Sequence, residues 1–287
     1  MRTLDLDSLH IFRTVAEQGG ITRAAAKLNR VQSNVTTRVK QLEERLGTPL
    51  FVRGRNRLTL SPEGQTLLAY ADELLRLSSE AQAAVRSGTP RGTFRIGTLE
   101  STAAARLPAI LSRYHRAYPE VKIELVTGTS GALVARLHAC EIEAAFVAEP
   151  FTVAGLATQH AFDEELVVIQ PRSAAALRSP RDIAGRTVIA FAAGCSYRRR
   201  LEDWLGHAGV VPSQVMEFGS YHAIIACVAA GAGMAIVPRS VLKVANAEKE
   251  VCVGTLPPRT AKARTLLAWR ERHRSIALAA LRAELRT

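Results

Sequence analysis

The sequence has few cysteines, and they lack the spacings that hold metal ions or disulfide frameworks. Its four cysteines, Cys140, Cys195, Cys227 and Cys252, form no CxxC pair, so neither a zinc knuckle nor a disulfide scaffold is indicated. Such sparse usage fits a reducing compartment. The seven histidines show no ligand spacing, and we therefore expect no metal and no resident cofactor.

Long apolar segments are also missing. The most apolar stretch, residues 223–238, is too short and too rich in glycine to cross a bilayer as a helix. The N-terminus carries Asp5 and Asp7 where a signal peptide needs an apolar run. We therefore expect a cytoplasmic protein with no membrane partner.

Catalytic motifs are absent as well. The sequence contains no P-loop and no HExxH. Gly231-Ala232-Gly233 follows a predicted helix rather than a strand, so it is not a dinucleotide-binding fingerprint. These absences predict that the chain has no catalytic site and is not an enzyme.

The composition is that of a globular protein of two domains. Of the 287 residues, 47% are hydrophobic and 22% are charged, which excludes disordered and fibrous classes. The net charge is +12, and such an excess of cations favours a polyanionic partner. Residues 1–60 hold 11 basic and 5 acidic side chains, a net charge of +6 in a fifth of the chain. The simplest alternative is a solvated basic surface.

Apolar spacing predicts three helices within these sixty residues. Leu6, Leu9, Phe12 and Val15 recur at helical spacing, and Gly19-Gly20 ends this first helix. A short alanine-rich helix over 23–28, capped by Thr22, follows. The third helix is predicted over 32–46, with Gly47 as its stop.

The third predicted helix has one apolar stripe and an opposite face of small polar residues. A tight turn connects this helix to the alanine-rich helix before it, and the small alanine side chains allow the two helices to pack closely. This arrangement indicates a helix-turn-helix, in which the third helix enters the major groove of DNA. A generic three-helix domain with a solvated face is the alternative. The DNA-contacting candidates on this helix are Gln32, Ser33, Asn34, Thr36, Thr37, Arg38 and Lys40.

A hairpin with arginines near its tip is predicted after the third helix. Two short β-prone runs over 49–60 flank a turn around Gly54-Arg55-Asn56. Arginines in such a wing suit contacts with phosphate or the minor groove. Arg53 and Arg55 therefore join the DNA-contacting candidates, and double-stranded promoter DNA is the expected partner.

These runs resemble the LysR-type transcriptional regulators without a gap over about sixty residues. The resemblance lies in residues 22–28, 31–36, 41–47, 50–53 and 58–64. It implies that Gln32 contacts DNA. The chain departs from the family at two positions, with Val31 where serine is usual and Ser33 where proline is usual, and Val31 cannot cap the third helix.

A long helix is predicted from Ser61-Pro62-Glu63 onward, followed by a Gly/Pro-rich hinge over 87–92. Its apolar positions alternate spacings of four and three, which is the pattern of a seam between paired helices. Packing on its own domain is the alternative. The resemblance favours pairing with a second copy, as a dimer or tetramer, through Leu67, Ala71, Leu74, Ala81 and Val85.

The rest of the chain alternates predicted strands and helices, which indicates an α/β fold with a mainly parallel sheet. It includes one helix over 102–118. The layout resembles the LysR effector domain, whose two α/β subdomains are similar to periplasmic binding proteins.

We thus predict an α/β protein with an N-terminal all-α winged helix-turn-helix. The predicted domains are 1–60 for DNA binding, 61–90 for the linker, and 91–287 for the effector domain. Its subdomain I covers about 91–162 and 266–287, and subdomain II about 163–265.

Ligands of parallel sheets bind beyond the carboxyl ends of the strands, near helix N-termini. Each hydroxyl there can instead serve as a helix cap. Hydroxyls and helix N-termini favour a small anionic effector, whereas Glu100, if it points inward, favours a cationic or hydrogen-bond-donating one. The effector-binding candidates are Thr98, Glu100, Ser101, Thr102, Thr129, Cys195, Ser196 and Phe218.

Two further interpretations remain at this point. Cys195 precedes three arginines and a predicted helix, so a lowered thiol pKa and a redox role compete with a plain pocket-lining role. A solute-binding protein or a transferase on the same α/β cleft is the rival to a ligand-responsive regulator. A regulator would also have RNA polymerase as a candidate partner.

Overall fold

The computed structural model describes residues 4–53, 58–86, 88–175, 177 and 179–286, without the side chains of residues 53, 80 and 83–86. The chain divides into two compact units, Met1–Thr89 and Pro90–Thr287. The N-terminal unit is helical with a small hairpin, and the second unit is α/β. This is the predicted fold class.

The N-terminal unit consists of α1 (Leu6–Gln18), α2 (Ile21–Lys27), α3 (Gln32–Leu46), β1 (Phe51–Arg53), β2 (Leu58–Leu60) and α4 (Pro62–Arg86). Antiparallel pairing of β1 with β2 confirms a hairpin after α3. Its connecting residues, including Arg55, lie outside the described part of the chain, as does the side chain of Arg53.

Local signals explain where the first helices begin and end. The Asp5 carboxylate accepts a hydrogen bond from the Ser8 backbone N–H at 2.8 Å and caps α1. Gly19 ends it with φ of 60°, a left-handed conformation that favours glycine. Helix α2 starts two residues earlier than predicted, at Ile21 after Gly20, so Thr22 lies inside the helix rather than at its cap. Val31 precedes α3 without a side-chain cap, as predicted.

The first half of α4 belongs to the core of the N-terminal unit. Leu67 and Ala71 are buried in a cluster with Leu9, Phe12 and Leu42. The prediction that these two residues form an intermolecular seam is therefore wrong, because their side chains are already covered by their own chain. Farther along α4, Leu74 and Ala81 are exposed, and the side chain of Val85 is outside the described part.

The elements of the C-terminal unit up to residue 191 are β3 (Gly92–Thr98), α5 (Glu100–Ala105), α6 (Leu107–Ala117), β4 (Val121–Thr127), α7 (Ser130–His138), β5 (Ala144–Ala148), β6 (Leu156–Pro171), a 3-10 turn (Pro180–Ile183) and β7 (Thr187–Phe191). They continue with α8 (Ser196–Gly206), β8 (Gln214–Phe218), α9 (Tyr221–Ala229), β9 (Ala235–Pro238), α10 (Arg239–Val244), β10 (Val251–Gly254), α11 (Pro258–Ala261), β11 (Lys262–Arg270) and α12 (Ile276–Glu284).

The sheet is not mainly parallel, which corrects the prediction. Strands β4, β3 and β5 are parallel, as are β7 and β8. Strands β6 and β11, however, pair antiparallel with each other, β11 pairs antiparallel with β5, and β6 does so with β9 and β10. Along β6 the partner changes from β11 to β9 after Glu165. The long crossing strand therefore joins the two halves of the unit, which a reading of strand–helix alternation cannot reveal.

One predicted helix is in fact two. Residues 102–118 were expected to form a single helix, but α5 ends before Arg106 and α6 begins at Leu107. Proline within a helix has no N–H to donate and clashes with the carbonyl four residues earlier. Pro108 is accommodated because it sits in the first turn of α6.

The described residues contain neither a membrane-spanning helix nor a cluster of metal ligands. None of their helices is both long and apolar enough to cross a membrane. Nor do three or more of their histidine, cysteine, aspartate or glutamate side chains gather into a group that could hold a metal ion.

Candidate functional site

Helix α3 presents a polar face on the surface of the N-terminal unit. Val35, Val39 and Leu42 are buried beneath it, and Ala24 and Ala25 of α2 pack against this side. The predicted contact residues that the structure leaves exposed are Gln32, Ser33, Asn34, Thr37 and Lys40. The residues whose hydrogen-bonding groups suit base edges thus share one accessible surface.

Thr36 and Arg38 are less free than the sequence suggested. The Thr36 hydroxyl donates to the Gln32 carbonyl at 2.9 Å. Arg38 is half-buried and lies 4.0 Å from the Asp7 carboxylate, which also binds Arg30 at 2.7 Å. Both side chains still lie beside the polar face, but part of their bonding capacity is used within the domain.

Ion pairs hold α3 at a fixed position on the domain. Arg45, near the end of α3, donates to the Asp5 carboxylate at the start of α1 at 2.6 Å. The Ser8 N–H and the Arg45 guanidinium together lower the pKa of Asp5 to about 2. At the other end of α3, Asn29 adopts a left-handed φ of 52° in the tight turn from α2. These contacts connect both ends of α3 to the rest of the N-terminal unit.

A narrow cavity of about 10 Å³, which has room for about one water molecule, lies within the C-terminal unit, where the strand ends of β3, β4, β5 and β7 meet the N-termini of α8 and α9. This is the location that α/β topology predicts for a ligand. Its walls are formed by Leu99, Glu100, Ser101, Gly128, Thr129, Ala148, Phe191, Cys195, Ser196, Tyr197 and Tyr221.

Glu100 is the acidic group of this cavity, and it does point inward. One carboxylate oxygen accepts a hydrogen bond from the Tyr221 backbone N–H at the start of α9, at 3.3 Å. The other oxygen is buried and has no hydrogen-bond partner. Burial raises the pKa of the Glu100 carboxyl above its ordinary value, because a desolvated carboxylate lacks the water that stabilises its charge.

Two cavity hydroxyls are also buried without a partner. The Ser101 Oγ and the Tyr197 hydroxyl make no hydrogen bond within 3.5 Å, although each residue is only 3% exposed. Burial raises the pKa of Tyr197 well above the ordinary tyrosine value, so this hydroxyl stays protonated. Unsatisfied buried polar groups carry a free-energy cost unless a water or ligand meets them.

Two other predicted effector residues have hydroxyls that already bond within the protein. The Ser196 hydroxyl donates to the Ala148 carbonyl at 2.6 Å and lies 3.0 Å from the Ser130 hydroxyl. Ser196 thus ties α8 to the end of β5, and its predicted role as a free ligand donor is wrong. Thr129 lines the cavity, but its hydroxyl caps α7 by accepting from the Ala132 N–H at 3.3 Å.

Cys195 lines the cavity at the start of α8, as the sequence indicated, and its burial argues against the low thiol pKa that the redox interpretation needs. The side chain is buried, and burial raises the pKa of the Cys195 thiol above its ordinary value despite the N–H groups of α8 and nearby Arg198. Desolvation outweighs the helix terminus here. The pocket-lining interpretation replaces the redox one.

Three candidates lie off the cavity wall. Thr98 and Thr102 are buried in the interior, and Thr98 donates to the Leu99 carbonyl at 3.1 Å. Phe218 packs partly buried against the core, whereas Phe191 contributes the aromatic wall. Three residues of the cavity wall were not among the predicted ones, Phe191, Tyr197 and Tyr221, although Phe191 ends a predicted strand and the tyrosines adjoin Ser196 and Ser220.

Comparisons with known proteins agree with this architecture. Residues 6–65 match the family model described as bacterial regulatory helix-turn-helix protein, lysR family. Residues 87–287 match the model described as LysR substrate binding domain. Together the two models span the α3 face and the cavity.

Curated relatives are similar along most of their length. The HTH-type transcriptional regulator GltR of Bacillus subtilis is 41% identical over 249 residues, covering 86% of this chain and 83% of that protein. The HTH-type transcriptional regulator YofA of Bacillus velezensis is 38% identical, with 88% of each protein covered.

Solved structures share the fold at lower identity. A full-length OxyR variant from Pseudomonas aeruginosa has a TM-score of 0.75 and 21% identity, covering 100% of this chain and 96% of that one. Full-length CbnR in complex with its target DNA has a TM-score of 0.72 and 23% identity, with 99% of each chain covered.

Proposed function

Because this chain belongs to the LysR family of DNA-binding transcriptional regulators, we propose that the exposed face of α3 reads its promoter DNA and that the narrow cavity binds its effector. Family membership supports a regulator over the rival solute-binding or transferase interpretations. The observation that carries the DNA proposal is the grouping of exposed polar side chains on α3 above a buried apolar stripe.

The DNA-contacting candidates on α3 and in the hairpin divide into two kinds of contact. Gln32, Ser33, Asn34 and Thr37 offer amide and hydroxyl groups, which hydrogen-bond to base edges in the major groove. Lys40, Arg38, Arg53 and Arg55 supply positive charge for phosphates or the minor groove. Thr36 contacts bases chiefly as an acceptor or through its methyl group, since its proton already binds the Gln32 carbonyl.

The exposed stripe of α4 is the proposed contact between two copies of the chain. Tyr70, Leu74, Leu77 and Ala81 are exposed and follow each other at spacings of four, three and four, which places them along one side of the helix. This stripe replaces Leu67 and Ala71 in the predicted seam. A two-fold dimer would set two copies of α3 on two half-sites, and a tetramer would add further contacts.

The cavity is the proposed effector site, and its working principle is differential affinity. An effector changes transcription only if it binds one arrangement of the protein better than another. The cavity is suited to this because Glu100 follows β3 whereas its partner Tyr221 begins α9. A molecule bound between these elements changes how they pack.

Binding of the full-length chain to its own upstream intergenic DNA tests the DNA proposal. We expect sequence-specific binding that weakens steeply with salt, since phosphate contacts release counterions, and a protected near-palindrome in a footprint. Equal affinity for that DNA and for random duplex at every salt concentration would contradict the proposal.

A promoter-fused reporter tests the effector proposal through the cavity wall. The double variant Ser101→Ala, Thr102→Ala removes one hydroxyl from the wall and one from behind it. This variant should reduce the change in reporter expression that the effector causes, while its binding to DNA without effector stays near wild type. An unchanged response at the same effector concentration would place the effector elsewhere.

A further inference from the structure

The residue directly before α3 is a valine whose side chain the N-terminal unit leaves in water. Val31 is 68% exposed, and among the described residues it is the most exposed large apolar side chain of this unit. It lies four residues before Val35, so a helical backbone at this position would place it on the buried stripe. The backbone at Val31 is instead extended, with ψ of 145°, and its side chain leaves the stripe.

Val31 adds little to the stability of the unbound protein. It gives α3 no side-chain cap, whereas serine, asparagine or aspartate in the same place would supply one. Nor is it one of the described side chains that form the buried cluster around Ala24, Val35 and Val39. A contact with a partner would therefore be the one that removes this apolar side chain from water, which is favourable.

Contacts on both sides hold Val31 at a defined place. Its carbonyl accepts a hydrogen bond from the Val35 N–H at 3.3 Å. The preceding Arg30 binds the Asp7 carboxylate through two hydrogen bonds at 3.0 and 2.7 Å. A side chain that is branched at Cβ has few rotamers, so Val31 presents its methyl groups at one position, directly beside the exposed Gln32.

In the major groove, the apolar group that a base presents to such a side chain is the methyl group of thymine. The first residues of a recognition helix contact base edges, and among those edges only that of thymine carries a methyl group. We infer that Val31 contacts the C5-methyl group of a thymine in each half-site and thereby contributes to sequence discrimination. This inference rests on the proposed DNA-reading role of α3 and adds the base that the residue before this helix selects.

The competing contact for an exposed valine is the sugar of the DNA backbone. Such a contact carries no sequence information. Replacement of thymine by deoxyuridine separates the two cases, because it removes the methyl group alone and keeps the sugar and every hydrogen-bonding group of the base.

The test is fluorescence anisotropy of the full-length chain on the footprinted operator and on operators in which one thymine of a half-site at a time is replaced by deoxyuridine. We expect one replacement to weaken wild-type binding about fourfold, which corresponds to about 0.8 kcal/mol for one buried methyl group. Val31→Ser should bind this operator and the unmodified one equally. Val244→Ser, which removes an exposed valine of the C-terminal unit, is the matched control and should keep the fourfold difference.

The ratio of the two affinities is the readout, because a contact that serine itself adds would affect both operators alike. Val31→Ser should also raise the thermal transition of the unbound chain, since the serine hydroxyl can cap α3. A structural role of Val31 predicts the opposite, a lower transition with an unchanged ratio.

Two results would overturn the inference: the same thymine keeps its effect in Val31→Ser, or no deoxyuridine replacement weakens wild-type binding. If Thr37→Ala nevertheless loses the preference for the operator over a scrambled duplex, α3 reads the promoter without Val31. If the wild-type chain itself shows no such preference, the proposed role of α3 fails together with this inference.

Discussion

The guanidinium of Arg106 binds the buried carboxylate of Glu164 through Nε and Nη2, at 2.7 and 3.2 Å. The Glu164 carboxylate also accepts from the Ser240 hydroxyl at 2.8 Å. Arg106 lies at the break between α5 and α6, directly beyond the cavity residues Glu100 and Ser101. The pair therefore anchors this wall of the cavity to the long strand β6.

Removal of Arg106 should destabilise the C-terminal unit strongly. In Arg106→Met the Glu164 carboxylate, only 5% exposed, keeps the Ser240 hydroxyl but loses its charged partner. Because an unpaired buried charge is costly, we expect a loss of about 2–4 kcal/mol in the free energy of unfolding. The measurement is urea denaturation followed by circular dichroism.

An exposed pair of the same chemistry provides the control. Arg264 binds Glu149 through two hydrogen bonds at 2.9 and 2.8 Å, but its side chain is 61% exposed. Exposed ion pairs contribute about 0–1 kcal/mol, so Arg264→Met should be nearly neutral. Equal losses in the two variants would refute the argument from burial.

The charge of Asp5 should make the stability of the N-terminal unit depend on pH in the acid range. Its pKa is about 2 in the folded chain against an ordinary value of 3.8. The stabilisation is therefore complete above pH 3.8 and is lost as the pH falls toward 2. Asp5→Asn keeps a capping side chain but not the charge that binds Arg45, so its stability should change less than that of wild type between pH 5 and 2.

Asp5→Ala separates the cap from the charge at neutral pH. This variant loses both the cap and the charge. We expect its free energy of unfolding to be about 1 kcal/mol lower than that of Asp5→Asn, which keeps a capping side chain. Thermal melts of the three proteins across the pH range measure both effects. Parallel pH curves for wild type and Asp5→Asn would show that the Asp5–Arg45 contact contributes nothing.

The exposed stripe of α4 should control self-association without affecting the fold. Leu74→Asp places a charge in the proposed contact between two chains, and we expect sedimentation to show dissociation at micromolar concentration. Ser79→Asp, also exposed and on the opposite side of α4, is the matched control and should sediment as wild type. A wild-type chain that is monomeric at this concentration would remove the proposed dimer.

Cys195 should react slowly with alkylating agents. Its thiol is buried and its pKa is raised, so little reactive thiolate is present near neutral pH. We expect labelling at pH 7.5 to be much slower at Cys195 than at the less buried Cys140, Cys227 and Cys252, as measured by mass spectrometry. Preferential labelling of Cys195 would restore the redox interpretation.

Local sequence signals were sufficient to predict the helices of the N-terminal unit, but they predicted the residues of the cavity less well. Helix α3 could be predicted to the residue because its apolar period and Gly47 are encoded within fifteen positions. The burial of Leu67 and Ala71 could not be predicted, because the same spacing of apolar residues suits both a seam between two chains and a contact with α1 of the same chain. Only the folded chain shows which surface is already covered.

The cavity depends on contacts between residues far apart in the sequence. That Glu100 meets Tyr221 follows from the crossing of β6 and β11, and strand–helix alternation does not predict this crossing. The thiol of Cys195 illustrates the same limit. The neighbouring arginines and helix start suggested a low pKa, but the degree of burial, which decides the sign, emerges only from the tertiary packing.

The most direct test of the account is whether Thr37 on α3 contributes to sequence discrimination while Lys40 contributes to affinity alone. Fluorescence anisotropy of full-length variants would compare the footprinted operator with a duplex of equal length and scrambled sequence. We expect Thr37→Ala to lose about 1–3 kcal/mol on the operator alone, and Lys40→Ala to weaken both duplexes alike with a shallower salt dependence. If Thr37→Ala instead binds both duplexes as wild type does, or weakens both equally, α3 is not the element that reads the promoter.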